Sequence, residues 1–214
     1  PATFFDKNIK LNYNVINIAK KIGIQKFVGF LSTCIFPDNL DRAFTEDDLH
    51  LGPPHNSNYG YAYSKRMLDI QVRAYNEQYN LNYFNVIPTN IYGKNDNFNL
   101  ENGHVIPALI HKTFLAMQNK EDLVIMGSGK AVREFIFSED VAKLCKRLIE
   151  SYDGKGPVIL SDSKSQISIA DLVSLIVELS GFKGKVIFDT SKSDGQLIKS
   201  TDNSKLLDIT NNNF

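Results

Sequence analysis

Cysteine is scarce and tryptophan is absent: only Cys34 and Cys145 occur in 214 residues. Two isolated thiols cannot build a disulfide framework or a thiolate metal site, so neither is expected. Sparse cysteine also points to a reducing compartment. An excess of one charge is missing too, because 24 Lys and Arg offset 24 Asp and Glu. Without a basic stripe there is no footprint for nucleic acid or for a membrane surface. Any bound anion must then be held by a few local cations. No apolar run reaches membrane-spanning length and no signal-peptide pattern opens the chain, so a cytoplasmic location is expected. What remains is an ordinary globular composition, 43% hydrophobic and 22% charged, long enough for one core or one core with a smaller lobe.

Hydrophobic periodicity organises the chain. Leu11, Val15, Ile18, Ala19 and Ile22 recur at helical spacing, with Gly23 as the stop. Lys26 to Leu31 reads as a buried strand that ends at Ser32-Thr33-Cys34. A polar loop follows from Pro37, Asp38 and Asn39 through Pro53-Pro54. Tyr61 to Tyr79 is helical, with Leu68, Val72, Tyr75 and Tyr79 on one face, and Tyr83 to Ile87 is the next strand, closed by Pro88-Thr89-Asn90. Helix, strand, helix, strand at this spacing predicts an α/β fold with a parallel sheet. The polar residues fall where both strands end, at the carboxyl edge where such sheets bind ligands.

Further on, His104 to Met117 reads as helix and Leu123 to Met126 and Glu134 to Phe137 as extended. Ser138 caps a helix bearing Val141, Leu144, Cys145 and Leu148, with Glu139 and Asp140 in its first turn. Val158 to Leu160 is a strand. Ser168 and Asp171 form a capping box on a helix that Gly181 ends, and Val186 to Phe188 is a last strand before the polar loop 189–203. A short helical stretch precedes the terminal Asn211-Asn212-Asn213-Phe214.

Several residues could carry chemistry. Tyr61 and Lys65 lie four apart, on one helical face. A phenol with a pKa of about 10 is a weak acid at neutral pH, and a neighbouring cation lowers it. Such a tyrosine can protonate the alkoxide that forms when hydride reaches a ketone. Surface helices also carry Tyr-x-x-x-Lys by chance. Ser32 and Thr33 offer hydroxyls at a strand end. Cys34 is either a small buried hydrophobe, the usual fate of a free cysteine, or a reactive thiol. His104 is either a helix-end residue satisfied by backbone or a proton carrier. Cys145, His50, His55 and His111 have no setting that suggests a role. Gly127-Ser128-Gly129-Lys130 is not a phosphate loop, because Val124 and Ala131 replace the required glycine and hydroxyl residue.

Taken in order, Ser32-Thr33-Cys34-Ile35-Phe36-Pro37, Tyr61-Ala62-Tyr63-Ser64-Lys65, Pro88-Thr89-Asn90-Ile91-Tyr92-Gly93, Asp96-Asn97-Phe98, Gly103-His104-Val105-Ile106-Pro107, Gly127-Ser128-Gly129 with Arg133-Glu134-Phe135, and Lys192-Ser193-Asp194-Gly195 resemble the GDP-L-fucose synthase family. That family belongs to the extended short-chain dehydrogenases of the NAD-dependent epimerase/dehydratase group. The resemblance covers nearly the whole chain. It implies 3,5-epimerisation and then NADPH-dependent 4-keto reduction of GDP-4-keto-6-deoxy-D-mannose. By motif position, Cys34 and His104 exchange the protons beside the ketone. Tyr61 is the acid of the reduction, Lys65 its electrostatic partner and Ser32 a hydrogen-bond donor. NADP(H) would be bound by Ser32, Thr33, Tyr61, Lys65, Pro88, Thr89, Asn90, Ile91 and His104. The GDP-sugar would meet Lys112, Met126, Arg133, Lys192 and Asp194, with Met126 standing where relatives often carry an aromatic residue and Lys112 where some carry arginine. A homodimer is implied, with the first helix and the Tyr61 helix as interface candidates.

Neither G-x-G-x-x-G nor G-x-x-G-x-x-G occurs. The resemblance therefore leads us to expect a piece of a longer protein, with the glycine-rich strand-turn-helix before Pro1 and a closing helix after Phe214. Residues 1–92 are expected to be the second part of a Rossmann-type NADP-binding domain. Residues 93–214 would be mainly a smaller substrate-binding lobe, with 134–152 as a candidate return to the sheet. Two other readings fit Tyr61 and Lys65: another sugar-nucleotide epimerase or dehydratase, and a truncated, non-catalytic sugar-nucleotide-binding protein.

Overall fold

A computed structural model describes residues 2–38, 40–162, 164–194, 197 and 199–211. Asn39, Gly195, the terminal Asn212, Asn213 and Phe214, and Pro1 lie outside them. Two compact units form, one from residues 1–89, 139–163 and 201–214, the other from 90–138 and 164–200.

The first unit is built on a parallel sheet ordered β1 (Lys26–Phe30), β2 (Asn82–Pro88), β6 (Val158–Leu160). In β2 and β6, Tyr83, Phe84, Val86, Ile87, Ile159 and Leu160 are fully enclosed, the pattern of a strand covered on two sides. Strand β1, expected to be buried, instead stands at the end of the strand order, is mostly half-buried and exposes Phe30. Helices α1 (Ala2–Lys21) and α2 (Tyr59–Tyr79) pack together, and α2 rests on β1 and β2. The unit is completed by α4 (Ser138–Ser151) and α6 (Ser204–Thr210). The expected loop between Pro37 and Pro54 contains a short 3₁₀ turn, Glu46–His50. Helix α2 buries Leu68 and Val72 as its periodicity requires, while Tyr79 is exposed and carries the Lys20 ammonium 4.3 Å above its ring.

One expectation is corrected. Helix α1 buries Ile16 and Ala19 and turns Ile9 and Asn12 toward the groove it forms with Met67 and Leu68 of α2. Leu11, Val15, Ile18 and Ile22, the stripe that marked the helix in the sequence, are exposed, Ile22 by 67%. The helix carries apolar residues on two adjoining faces. Periodicity identifies the helix, but the shape of α2 selects the face.

Buried polar contacts fix α2 on the sheet. Asn76 donates to the Tyr83 carbonyl at 2.6 Å and accepts from its N–H at 2.9 Å. The carboxylate of Asp69, 1% exposed, accepts from Asn85 Nδ2 at 3.1 Å and faces His50 Nε2 at 3.0 Å and Arg73 Nε at 2.7 Å. A buried carboxylate persists only when it is paired in this way. Strand β1 passes Asn85 at Gly29, where an added Cβ would stand 2.2 Å from Asn85 Oδ1.

The second unit combines a sheet ordered β3 (Asn90–Tyr92), β5 (Val132–Phe137), β7 (Gln166–Ser168) with the parallel pair β4 (Leu123–Met126) and β8 (Val186–Asp189). Helices α3 (Val105–Asn119) and α5 (Ile169–Ser180) cover its core of Leu109, Leu123, Ile125, Phe135, Leu172 and Val173. Ser168 caps α5 by accepting from Asp171 N, and Gly181 ends it at φ +72, as the sequence predicts.

Asp48 makes the first unit sensitive to acid. Arg42 holds its carboxyl down to about 2 from an ordinary 3.8, with help from the N–H and hydroxyl of Thr45. A depressed pKa contributes stability above the unfolded value that is lost as pH falls through the folded one. Asp48→Asn is expected to lower the urea midpoint at neutral pH, with the gap to the parent closing as pH falls from 3.8 toward about 2. A gap independent of pH would contradict this.

Candidate active site

The carboxyl end of β1 carries the first group of residues. Leu31 N–H still bonds Val86 O at 2.8 Å, and the chain then breaks into a 3₁₀ turn, Thr33–Ile35. Ser32 caps that turn by accepting from Cys34 N at 3.3 Å. Arg66 of α2, only 6% exposed, donates Nε to Ile35 O at 2.8 Å and pins the turn. Its role went unread in the sequence. The only available signal was a cation directly after Lys65 on a helix face that is otherwise buried.

Helix α2 brings Tyr61 to this turn. Ser32 and Cys34 lie close enough to act on its phenol electrostatically, and the Phe4 ring stands 5.5 Å from the Tyr61 ring. Burial, and then the Cys34 charge, push the Tyr61 pKa above 10.0, with Ser32 opposing. This corrects the expectation of a phenol acidified by lysine. Lys65 Nζ is 5.8 Å from the Tyr61 ring centroid and donates to Phe30 O at 2.8 Å, and burial lowers its own pKa from 10.5. At the end of β2, Thr89 donates its N–H to Leu160 O at 3.1 Å. Its hydroxyl is buried and has no hydrogen-bond partner among the described residues.

Pro88 is the last residue of β2, and the second unit holds the other predicted residues. Asn90 donates to Glu134 O at 2.8 Å, and Ile91 pairs with Ile136. His104 stands at the N-cap position of α3 but does not cap the helix; its Nδ1 faces Asp96 Oδ1 at 3.1 Å. A cleft of about 310 Å³ opens between α3, β4 and the 193–194 segment, lined by Lys112, Met126, Arg133 and Asp194 among others. Two cations, two carboxylates and the apolar Leu109 and Ile125 line it, a set that can hold a phosphorylated group attached to a flat ring. Both Asp194 oxygens are engaged, with Oδ1 accepting from Ser128 N and Oδ2 from its hydroxyl, each at 2.7 Å. Asp194 therefore fixes the Gly127 turn as well as lining the cleft. Lys192 does not line it and is exposed. Leu100 and Glu101 do line it, although no sequence pattern marked them.

This arrangement, hydroxyls and a Tyr-x-x-x-Lys helix at the edge of a parallel α/β sheet, has a counterpart in known proteins. Residues 1–160 match the model of the NAD dependent epimerase/dehydratase family, and the chain belongs to that family. It is 53% identical over 204 residues to a GDP-L-fucose synthase of Dictyostelium discoideum, covering 95% of this chain and 64% of the relative. It is 34% identical over 210 residues to a GDP-L-fucose synthase of Sinorhizobium fredii, covering 98% and 67%. A crystal structure of a GDP-L-fucose synthetase from Naegleria fowleri bound to NADP superposes with a TM-score of 0.92 at 42% identity, covering 95% and 65%. The chain thus spans less than two thirds of the Dictyostelium relative it matches.

The burial of Tyr61 yields a direct test. In a spectrophotometric titration, the tyrosinate signal removed by Tyr61→Phe is expected to come from the region above pH 10, the side to which burial shifts it. Signal lost below pH 10 would show a phenol acidified by its surroundings instead.

Proposed function

We propose that this chain is the catalytic and substrate-binding part of an NADPH-dependent enzyme that converts GDP-4-keto-6-deoxy-D-mannose to GDP-L-fucose. The observation that carries the reading is the meeting of Ser32, Cys34 and Tyr61 at the end of β1, with Lys65 one helical turn beyond Tyr61. The names of the relatives support it. A plain reductase needs Ser32, Tyr61 and Lys65 but has no use for a thiol beside the phenol.

The 4-ketone acidifies the hydrogens on the two flanking carbons. Cys34 removes such a proton as thiolate, the form in which a cysteine side chain acts as a base. His104 supplies a proton in return, which inverts the centre. Ser32 then donates a hydrogen bond to the ketone oxygen, and Tyr61 gives its proton to the forming alkoxide. A phenol held above its ordinary pKa stays protonated until that charge develops. NADPH, when bound, supplies the hydride. The Thr89 hydroxyl, which has no hydrogen-bond partner among the described residues, and the Lys65 ammonium suit the ribose hydroxyls at its nicotinamide end. The GDP end fits the cleft of Lys112 and Arg133. We also take the protein to be a cytoplasmic homodimer that meets its second copy along the groove of Ile9, Tyr13, Met67 and Ile70 on α1 and α2, where exposed apolar residues concentrate.

Two variants of the whole enzyme separate the half-reactions. Tyr61→Phe is expected to slow reduction by roughly 10² to 10⁴ while exchange of substrate hydrogens with deuterated water persists. Cys34→Ser is expected to abolish GDP-L-fucose and to leave slow formation of an unepimerised reduced sugar, followed by NMR. GDP-L-fucose made by Cys34→Ser at the parental rate would reduce Cys34 to a packed side chain and favour another epimerase or dehydratase of the family.

A further inference from the structure

We infer that Asp96 is a positioning residue that fixes the tautomer of His104 and aims its Nε2 as the proton-carrying atom. The inference deepens the proposed activity and rests on it. It starts from a mismatch: His104 occupies the N-cap position of α3, where a side chain normally accepts from the first-turn N–H groups, yet it makes no such bond. Instead Nδ1 lies 3.1 Å from Asp96 Oδ1.

The segment between the two residues is built to hold them there. Asp96 N–H bonds Gly93 O at 3.2 Å, and Gly103 N–H bonds Asn99 O at 2.8 Å. Asn99 Oδ1 accepts from Glu101 N and Asn102 N at 2.9 and 3.0 Å, and Asn97 Nδ2 reaches Asn102 O at 3.2 Å. The loop closes so tightly that a Cβ on Gly103 would stand 2.3 Å from Asn99 O. His111 of α3 contacts Phe98 O through Nδ1 at 2.7 Å and ties the loop to the helix. Asp96 is therefore delivered to His104 by a rigid frame.

The chemistry follows from the donor inventory. An ionised carboxylate only accepts, so the nitrogen facing it must carry hydrogen. Asp96 Oδ1 also takes the Asn97 N–H at 2.7 Å, while Oδ2 is buried and has no hydrogen-bond partner among the described residues. With Nδ1–H committed to Asp96, the neutral ring has its lone pair on Nε2, and the charged ring has its transferable proton there. When Nε2–H protonates the enolate carbon, a C–H bond forms and the ring is left as the neutral Nδ1–H tautomer, which Asp96 already stabilises. A histidine oriented by a carboxylate in this way delivers its proton along one direction.

Nitrogen-15 NMR of the whole enzyme without substrate tests the geometry without any activity. Neutral His104 is expected as the Nδ1–H tautomer. In Asp96→Ala it is expected to shift to the Nε2–H form that an unrestrained imidazole prefers, with the His111 signals unchanged if the loop stays folded. In the whole enzyme, Asp96→Ala is expected to slow solvent-deuterium exchange at the carbon served by His104 at least about tenfold, part of the roughly 10² to 10⁴ that a positioned acid contributes. Substrate KM is expected to hold. Should the alanine variant not fold, Asp96→Asn keeps the shape, removes the charge and is expected to slow exchange likewise. A parental Nε2–H tautomer, or undiminished exchange in the variant that folds, overturns the inference. A parent with no exchange at all, but with the Nδ1–H tautomer, would instead show that the proposed activity is wrong and that the pair has no catalytic role.

Discussion

The carboxylate of Asp69 is the interaction on which the first unit depends. It sits on α2, almost fully enclosed, and takes hydrogen bonds from β2 through Asn85 and from its own helix through Arg73. A charge in that position has no favourable alternative register, because sliding the helix by one turn would leave it buried and unpaired at a cost of several kcal/mol. Tyr61 and Lys65 precede Asp69 by two turns and one turn on the same face, so the bond that seats Asp69 also sets the phenol and the ammonium at the end of β1. Gly29 completes the constraint, since any larger residue would displace Asn85.

From that anchor the polar edge follows. Strand β1 ends where its ladder with β2 runs out, and the 3₁₀ turn that begins there is held by Arg66. Ser32, Cys34 and Tyr61 thus come together because a strand end, a helix and a buried guanidinium agree on one place. The second unit repeats the strategy with different means. A loop of asparagine turns holds Asp96 against His104, and the Asp194–Ser128 pair holds the glycine turn beside the cleft. In both units, turns that carry candidate site residues, such as Cys34 and Asp96, are held by buried or doubly engaged side chains. Such turns are more rigid than their length suggests.

Most strands and helices could be read from the sequence because their signals were local. Ser168 with Asp171, Gly181 and the apolar run of β1 each specify one element without reference to the rest. Where reading fell short, the missing information was tertiary. Helix α1 has two apolar faces, and only the contour of α2 decides between them. Strands β3 and β7 have three residues each, too few for a period to show. The acidity of Tyr61 was misjudged because Lys65 was placed by spacing alone, whereas its ammonium turns to the Phe30 carbonyl and burial dominates the phenol. Arg66 and Asp96 bind backbone or a neighbouring ring, relations that leave no mark in residue spacing. The roles given to Cys34, His104 and the cleft residues rest on motif position and local geometry together.

The central claim is that one enzyme uses a thiol and an imidazole to exchange protons beside a ketone before a phenol completes its reduction. The most direct measurement is to run the parental whole enzyme in deuterated water with unlabelled NADPH and to locate deuterium in the product by NMR. The account predicts deuterium on both carbons that flank the original ketone and protium, delivered from the cofactor, on the carbinol carbon between them. Product with protium retained at both flanking carbons would contradict it.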